Sequence, residues 1–197
     1  MVKKSKGMRL RIVGGTLRGR VMMLPPEFQG RPTKDMVREA FFDIIGDFVI
    51  RANFLDLCCG SGATGIEAIS RGARHSWLVD RDFVACKVAR EAVKTFKVDE
   101  SVTVEKMDAG SFVSQASANK LFFDIIFCDP PYEITPEKLS KNLEQMPSIL
   151  APEGILIIEH DEETEYPEGL FGLSRFKEKK YGGTKLTFYS RPVPGDL

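Results

Sequence analysis

The chain has 197 residues, 43% of them hydrophobic, which supports one sizeable core and argues against several domains. No stretch approaches the roughly 20 apolar residues that span a bilayer, and the basic N-terminus leads into no apolar segment, so the sequence reads as cytoplasmic. Net charge is zero, yet residues 1–38 hold ten Lys or Arg against two acids; a cationic end on a neutral chain points to a polyanion such as nucleic acid.

In chain order, Arg9 to Val13 and Arg20 to Leu24 alternate in polarity, with Gly14, Gly15 and Gly19 between them, which predicts a β-hairpin. Pro25, Pro26, Gly30 and Pro32 form a linker. Thr33 is then placed to cap a helix in which Val37, Phe41, Ile44 and Ile45 recur at helical spacing up to Gly46. Residues 1–46 therefore read as a basic β-β-α extension suited to a nucleic-acid partner, and residues 47–197 as the core.

Beyond Asn53, short apolar strands alternate with helices. Strands are expected at Phe54–Cys58, Ser76–Asp80, Val102–Met107, Phe123–Asp129 and Gly154–Glu159, and helices at Ala63–Ser70, Phe83–Phe96, Gly110–Gln115 and Pro136–Gln145. This alternation implies right-handed βαβ units and a mostly parallel sheet covered on both faces. Leu173–Tyr181 and Leu186–Ser190 are joined by Gly182-Gly183, so the chain should end in a hairpin that places an antiparallel strand at one sheet edge. Cys58, Cys59, Cys86 and Cys128 lack metal-ligand spacing and read as buried thiols, and His75 and His160 as structural, so no metal is expected.

Four constellations carry chemistry. The run from Asp56 through Gly60-Ser61-Gly62 to Gly65 lies where the first core strand turns into a helix; its glycines let backbone approach a ligand, and the helix start offers free N–H groups. Alone, this loop also fits a nicotinamide oxidoreductase. Asp80 and Asp108 end the next two strands, where acids meet ribose and adenine in nucleoside-binding sheets. Asp129-Pro130-Pro131-Tyr132 closes a further strand, and such a tetrapeptide arises by chance on the order of 0.004 times in a chain this long. An exocyclic amine on a base is a poor nucleophile because its lone pair is delocalised into the ring. The Asp129 carboxylate and Pro130 carbonyl can each accept one amine hydrogen and direct that lone pair, the two prolines fix the backbone, and Tyr132 can stack on the base. The segment from Gly30 to Phe41 carries Arg31, Lys34 and Arg38, which can grip phosphates at the mouth of the crevice.

These residues together resemble the RsmD family of bacterial methyltransferases that act on guanine N2 in small-subunit (16S) ribosomal RNA. The resemblance runs from Arg9-Leu10-Arg11, Gly14-Gly15 and Arg18-Gly19-Arg20, through Arg31-Pro32-Thr33, Asp56 to Ala73 and Asp108-Ala109, to Phe123–Tyr132. It implies an α/β class I S-adenosylmethionine-dependent fold: a Rossmann-like, seven-stranded, mostly parallel sheet with the last strand antiparallel. It implies that Asp56, Gly60, Ser61 and Gly62 hold the methionine end of S-adenosylmethionine, Asp80 and Arg81 the ribose, and Asp108 and Ala109 the adenine, with S-adenosylhomocysteine as product. It further implies that Asp129, Pro130, Pro131 and Tyr132 hold a flipped guanine, while Arg18, Arg20, Arg31, Thr33, Lys34 and Arg38 contact rRNA or an assembling small subunit, the enzyme acting as a monomer. Asp80 stands where the family often has Glu, and Cys58-Cys59 where Phe-Ala is commoner. The alternative within the same chemistry is a DNA adenine or cytosine amino-methyltransferase, which generally needs a larger target-recognition region than this chain has room for.

Overall fold

The computed structural model describes residues 8–30, 33–131 and 134–192. Eight strands form one sheet, in the order Val102–Lys106, His75–Asp80, Asn53–Leu57, Phe123–Cys128, Leu150–Asp161, Thr184–Ser190, Leu173–Tyr181 and Gly169–Leu170. Its parallel half comprises β3 (Asn53–Leu57), β4 (His75–Asp80), β5 (Val102–Lys106), β6 (Phe123–Cys128) and β7 (Leu150–Asp161). Side chains alternate between faces along β3. Phe54 joins a cluster with Phe41 and Phe42 of α1 (Asp35–Ile45), while Leu55 and Leu57 pack with Phe112 and Val113 of α4 (Ala109–Ala118). Helices α2 (Ala63–Ser70) and α3 (Phe83–Phe96) cover the α1 side, and α5 (Pro136–Asn142) and α6 (Met146–Ile149) cover the other.

Three sequence expectations need revision. The last strand is antiparallel as expected, but it is interior: β10 (Thr184–Ser190) lies between β7 and β9 (Leu173–Tyr181), antiparallel to both. The reason is burial. Thr184 to Tyr189 are all buried, whereas β9 alternates and carries Arg175, Lys177, Lys179 and Lys180, charges suited to an outer strand. A two-residue strand, β8 (Gly169–Leu170), then extends the expected seven strands to eight. Pro136 starts α5 at N1 as expected, but the helix ends at Asn142, and Pro147 opens the separate α6.

The N-terminal hairpin forms as expected, with β1 (Arg9–Arg11) antiparallel to β2 (Val21–Met23). Leu10 and Ile12 bury against α2 and α3. Its glycines answer to the core as well as to the turn: Gly15 has φ +72, and a Cβ there would collide with the Ser70 carbonyl at the end of α2. Ser70 Oγ in turn donates to the Gly14 carbonyl (2.6 Å) and accepts from the Leu17 amide (2.8 Å).

The strongest tie between hairpin and core is ionic. Arg38 of α1 is only 1% exposed and Glu67 of α2 is fully buried. Arg38 Nε donates to Glu67 Oε2 (3.1 Å), and its terminal nitrogens donate to the Thr33 carbonyl (2.7 Å), the Arg11 carbonyl (2.5 Å) and Asp35 (2.9 Å). Glu67 also accepts from Arg71 (2.9 Å) and from the Val13 amide (3.3 Å). This corrects the assignment of Arg38 to phosphate binding, because its guanidinium is enclosed and fully committed. Truncating one member of a buried pair strands the other, at a cost of about 3–5 kcal/mol. Arg38→Ala should lose stability on that scale in urea denaturation, while Arg18→Ala, at an exposed position, should change it by less than about 0.5 kcal/mol.

Candidate active site

The C-terminal ends of the parallel strands meet at one rim. Leu57 pairs with Val79 on one side and Cys128 on the other. The next residues continue the ladder: the Cys59 amide donates to the Val79 carbonyl (3.0 Å) and the Asp129 amide to the Leu57 carbonyl (3.2 Å). The glycine loop and Asp129 therefore emerge side by side.

Within the loop, each glycine answers to a different constraint. Gly62 (φ +75) opens α2 in the left-handed region, and Gly65 sits so close to Leu78 and Ser76 that no Cβ fits. Gly60 (φ +52) faces open space, with only Phe28 Cζ near its missing side chain (3.8 Å). The backbone is thus bare where a ligand would approach it. Asp56 lies beneath the loop, 2% exposed, and accepts the Gly65 amide (3.0 Å). Burial, reinforced by Asp80 and Glu159, pushes its carboxyl from 3.8 up to about 8. Cys58 takes a positive φ of 63°, and burial next to Asp80 and Asp129 raises its thiol to about 12, which leaves it protonated and unsuited to nucleophilic chemistry.

Asp80 ends β4 as expected and organises the loop. Its two oxygens accept the amides of Gly60 (2.9 Å) and Asp82 (2.9 Å), and Arg81 stands exposed between them. Asp82 caps α3 by accepting the Ala85 amide (2.7 Å), which leaves Asp80 free of that duty. Asp108 differs from Asp80. Its carboxylate caps α4 through the Ser111 amide (3.0 Å), and hydrogen bonds from the Ser111 side chain and backbone hold it below the usual carboxylate range.

Thr33 does not cap α1: Lys34 occupies the cap position without a side-chain bond. Thr33 instead offsets part of the rise that burial imposes on the carboxyls of Asp129 and Glu159. Thr33, Asp56, Gly60, Ser61 and Asp129 line one small cavity. Burial, then the neighbouring charges of Glu159 and Asp56, drive the Asp129 carboxyl well above the usual range. Pro130 is buried, and the exposed Pro131 has its carbonyl bonded to the Ile134 amide (2.9 Å). Tyr132 and Arg31 lie outside the described residues.

The basic residues do not all gather at the rim. Lys34 is exposed there, its Nζ donating to the Gly182 carbonyl of the β9–β10 turn (3.0 Å). Arg20 lies over the Phe96 ring and donates to the carbonyls of Thr95 and Phe96, at the far end of α3. Fourteen helical residues separate that end from the rim, about 20 Å. Arg18 is exposed on the hairpin loop beside the end of α2. Sequence reasoning missed Glu159, Glu67 and Phe28. Glu159 ends an apolar run inside a buried strand, a place where an acid signals a specific partner.

A model of the family described as conserved hypothetical protein 95 matches residues 10–190. The chain belongs to this family, the RsmD family. It is 34% identical to the Bacillus subtilis protein YlbH, over 92% of this chain and 99% of YlbH. It is 31% identical to ribosomal RNA small subunit methyltransferase D of Escherichia coli K12, over 95% of this chain and 93% of that protein. Among solved structures, the Escherichia coli protein yhhF matches with a TM-score of 0.80 at 29% identity, covering 94% of this chain and 99% of yhhF. Family and fold together make the chain an S-adenosylmethionine-dependent methyltransferase.

The state of Asp56 can be tested through stability. A carboxyl whose value rises from 3.8 in the unfolded chain to about 8 in the fold binds more protons when folded, so its contribution is full below about pH 4 and is lost as pH rises to 8. Asp56→Asn, which keeps an acceptor for the Gly65 amide, should gain stability relative to the natural chain across that window. Denaturation midpoints measured from pH 5 to pH 8 check the slope.

Proposed function

We propose that this methyltransferase acts on the exocyclic N2 amine of a guanine in small-subunit ribosomal RNA, as a cytoplasmic monomer, on RNA or on an assembling subunit. One observation carries the reading. Asp129 stands at the rim between the bare Gly60 backbone and Glu159, with its amide fixed to Leu57 and its carboxyl facing the cavity. That is where an amine must be held to meet a methyl group bound along the glycine loop. The relatives named above support RNA as acceptor, and the basic extension supports a polyanion.

The residues present fit S-adenosylmethionine: an open glycine at the loop, a rim acid in Asp80, and the first amides of α4 beside Asp108. Gly60, Ser61 and Gly62 would hold the methionine end above Asp56, Asp80 and Arg81 the ribose, and Ala109 the adenine. When bound, the group supplies an electrophilic methyl on a sulfonium. All remaining work falls to the protein. Asp129 accepts one amine hydrogen and the Pro130 carbonyl the other, which turns the nitrogen lone pair toward the methyl; Pro130 and Pro131 hold that carbonyl by fixing φ. Tyr132 stacks on the base. Catalysis is by position and electrostatics, with no covalent enzyme intermediate. Arg18, Lys34 and Arg31 contact phosphates, and Arg20 supports the hairpin on α3.

Transfer of labelled methyl to small-subunit RNA, with duplex DNA as comparison, tests this directly. RNA should be methylated and DNA not, and Asp129→Ala should lose at least about a hundredfold in kcat; full activity in that variant, or a preference for DNA, overturns the reading. Arg18→Ala should weaken RNA binding at all sequences and shallow its logarithmic salt dependence by about one, measured by filter binding at several salt concentrations.

A further inference from the structure

The cations of β9 and β10 are treated differently on the two faces of the sheet. Residues opposite one another in an antiparallel pair point to the same face. On the face shared with α5, Arg175 stands opposite Tyr189 and Lys180 opposite Lys185, and each cation has an acid: Arg175 pairs with Glu168 and with Glu178 (3.3 Å), Lys180 with Glu162, and Lys185 with Glu165 (2.6 Å). On the α1 face, Lys179 stands opposite Leu186 and Lys177 opposite Phe188, both of which are buried with Phe41 and Phe42. Neither lysine makes an ion pair or a side-chain hydrogen bond among the described residues, and Glu178 between them points to the other face, opposite Thr187.

A bulge adds an aromatic to the α1 face. Phe188 pairs with Lys177 and Tyr189 with Arg175, so Phe176 is the extra residue, re-aimed as bulged residues are. It is 53% exposed, its ring 6.0 Å from that of Phe188. Beyond Ser174, β9 has no outer neighbour among the described residues. Lysines on an open edge discourage pairing with another chain; an exposed Phe176 beside them does the opposite, so protection of the edge does not account for the set. Because β9 and β7 are both antiparallel to β10, they run in the same direction, and the Tyr181 end of β9 reaches the rim. There Lys34 donates to the Gly182 carbonyl (3.0 Å), and the exposed Met36 lies against the same turn, its Cε 3.8 Å from where a Cβ on Gly182 would stand.

We infer that this strip is an RNA-binding surface separate from the hairpin: it carries an unpaired strand flanking the target base away from the rim, with Lys179 and Lys177 on its phosphates and Phe176 stacked on one of its bases. The inference rests on the proposed RNA acceptor. Charge complementarity selects the occupant. A polyanion gains from cations that no carboxylate already neutralises, and unpaired bases offer the π-faces that an exposed aromatic covers. Lys177 and Lys179 are two residues apart, about 6.7 Å along the strand, which lets each take its own phosphate.

Adjacent lysines provide the test, since Lys179→Ala and Lys180→Ala change net charge equally on opposite faces. In filter binding of small-subunit RNA at several salt concentrations, the logarithmic salt dependence should be shallower by about one in Lys179→Ala and by about two in Lys177→Ala/Lys179→Ala, while Lys180→Ala matches the natural chain. Phe176→Ala should weaken binding about fivefold or more with that slope unchanged. S-adenosylhomocysteine binding by calorimetry confirms that each variant is folded. A natural slope in Lys179→Ala, or equal losses in Lys179→Ala and Lys180→Ala, overturns the surface and leaves the proposed function standing on methyl transfer by the natural chain. Normal RNA binding by Lys177→Ala/Lys179→Ala with lost binding to the assembling small subunit also overturns it, and assigns the strip to a protein partner. A natural chain that neither binds nor methylates small-subunit RNA strikes the proposed function and the surface together.

Discussion

The buried Arg38–Glu67 ion pair is the constraint on which the arrangement of this protein depends. Glu67 lies on the helix that follows the glycine loop, and Arg38 on the helix that follows the hairpin. Enclosing both charges is tolerable only because each makes further bonds, Arg38 to two backbone carbonyls and Asp35, Glu67 to Arg71 and the Val13 amide. Those extra bonds do the positioning. The Arg38 bond to the Thr33 carbonyl fixes a residue that lines the cavity with Asp129, so the extension helps complete the site of the core.

The charge distribution follows the same division of labour. Asp56, Asp80, Asp129 and Glu159 collect at the ends of four strands, where burial raises three of them. A cationic methyl donor suits such a rim, since a positive charge there relieves repulsion among carboxyls that the fold has already enclosed. Among the described residues, Arg9, Arg11, Arg18 and Arg20 stand apart from it along the hairpin. Zero net charge thus conceals an acidic crevice beside a basic arm, an arrangement matched to a cationic cofactor and a polyanionic acceptor used together.

The core was legible because its strands are apolar runs and α3, α4 and α5 start at side-chain caps. Ala63–Ser70, Phe83–Phe96 and Leu173–Tyr181 fall where periodicity placed them. Strand order within the final hairpin was not legible, since both strands carry turn signals and only the full burial of β10 shows which is interior. Rim acids were readable in position but not in duty: Asp80 and Asp108 look alike in sequence, yet one braces the glycine loop and the other caps a helix. Arg38 misled because a charged residue beside Lys34 and Arg31 reads as part of a phosphate grip. Its partner Glu67 lies 29 positions away, and no local pattern reports a pairing at that range. Thr33 misled for a related reason: it has the right chemistry for a helix cap but lines the cavity beside Asp129 instead.

The proposed reaction places a methyl group on guanine N2 of small-subunit RNA. Mass-spectrometric mapping of that RNA, from cells with and without the gene, tests it most directly. One N2-methylguanosine should disappear when the gene is removed and return when it is restored. An unchanged methylation map, or loss of a methyl group from a different base or atom, would contradict it.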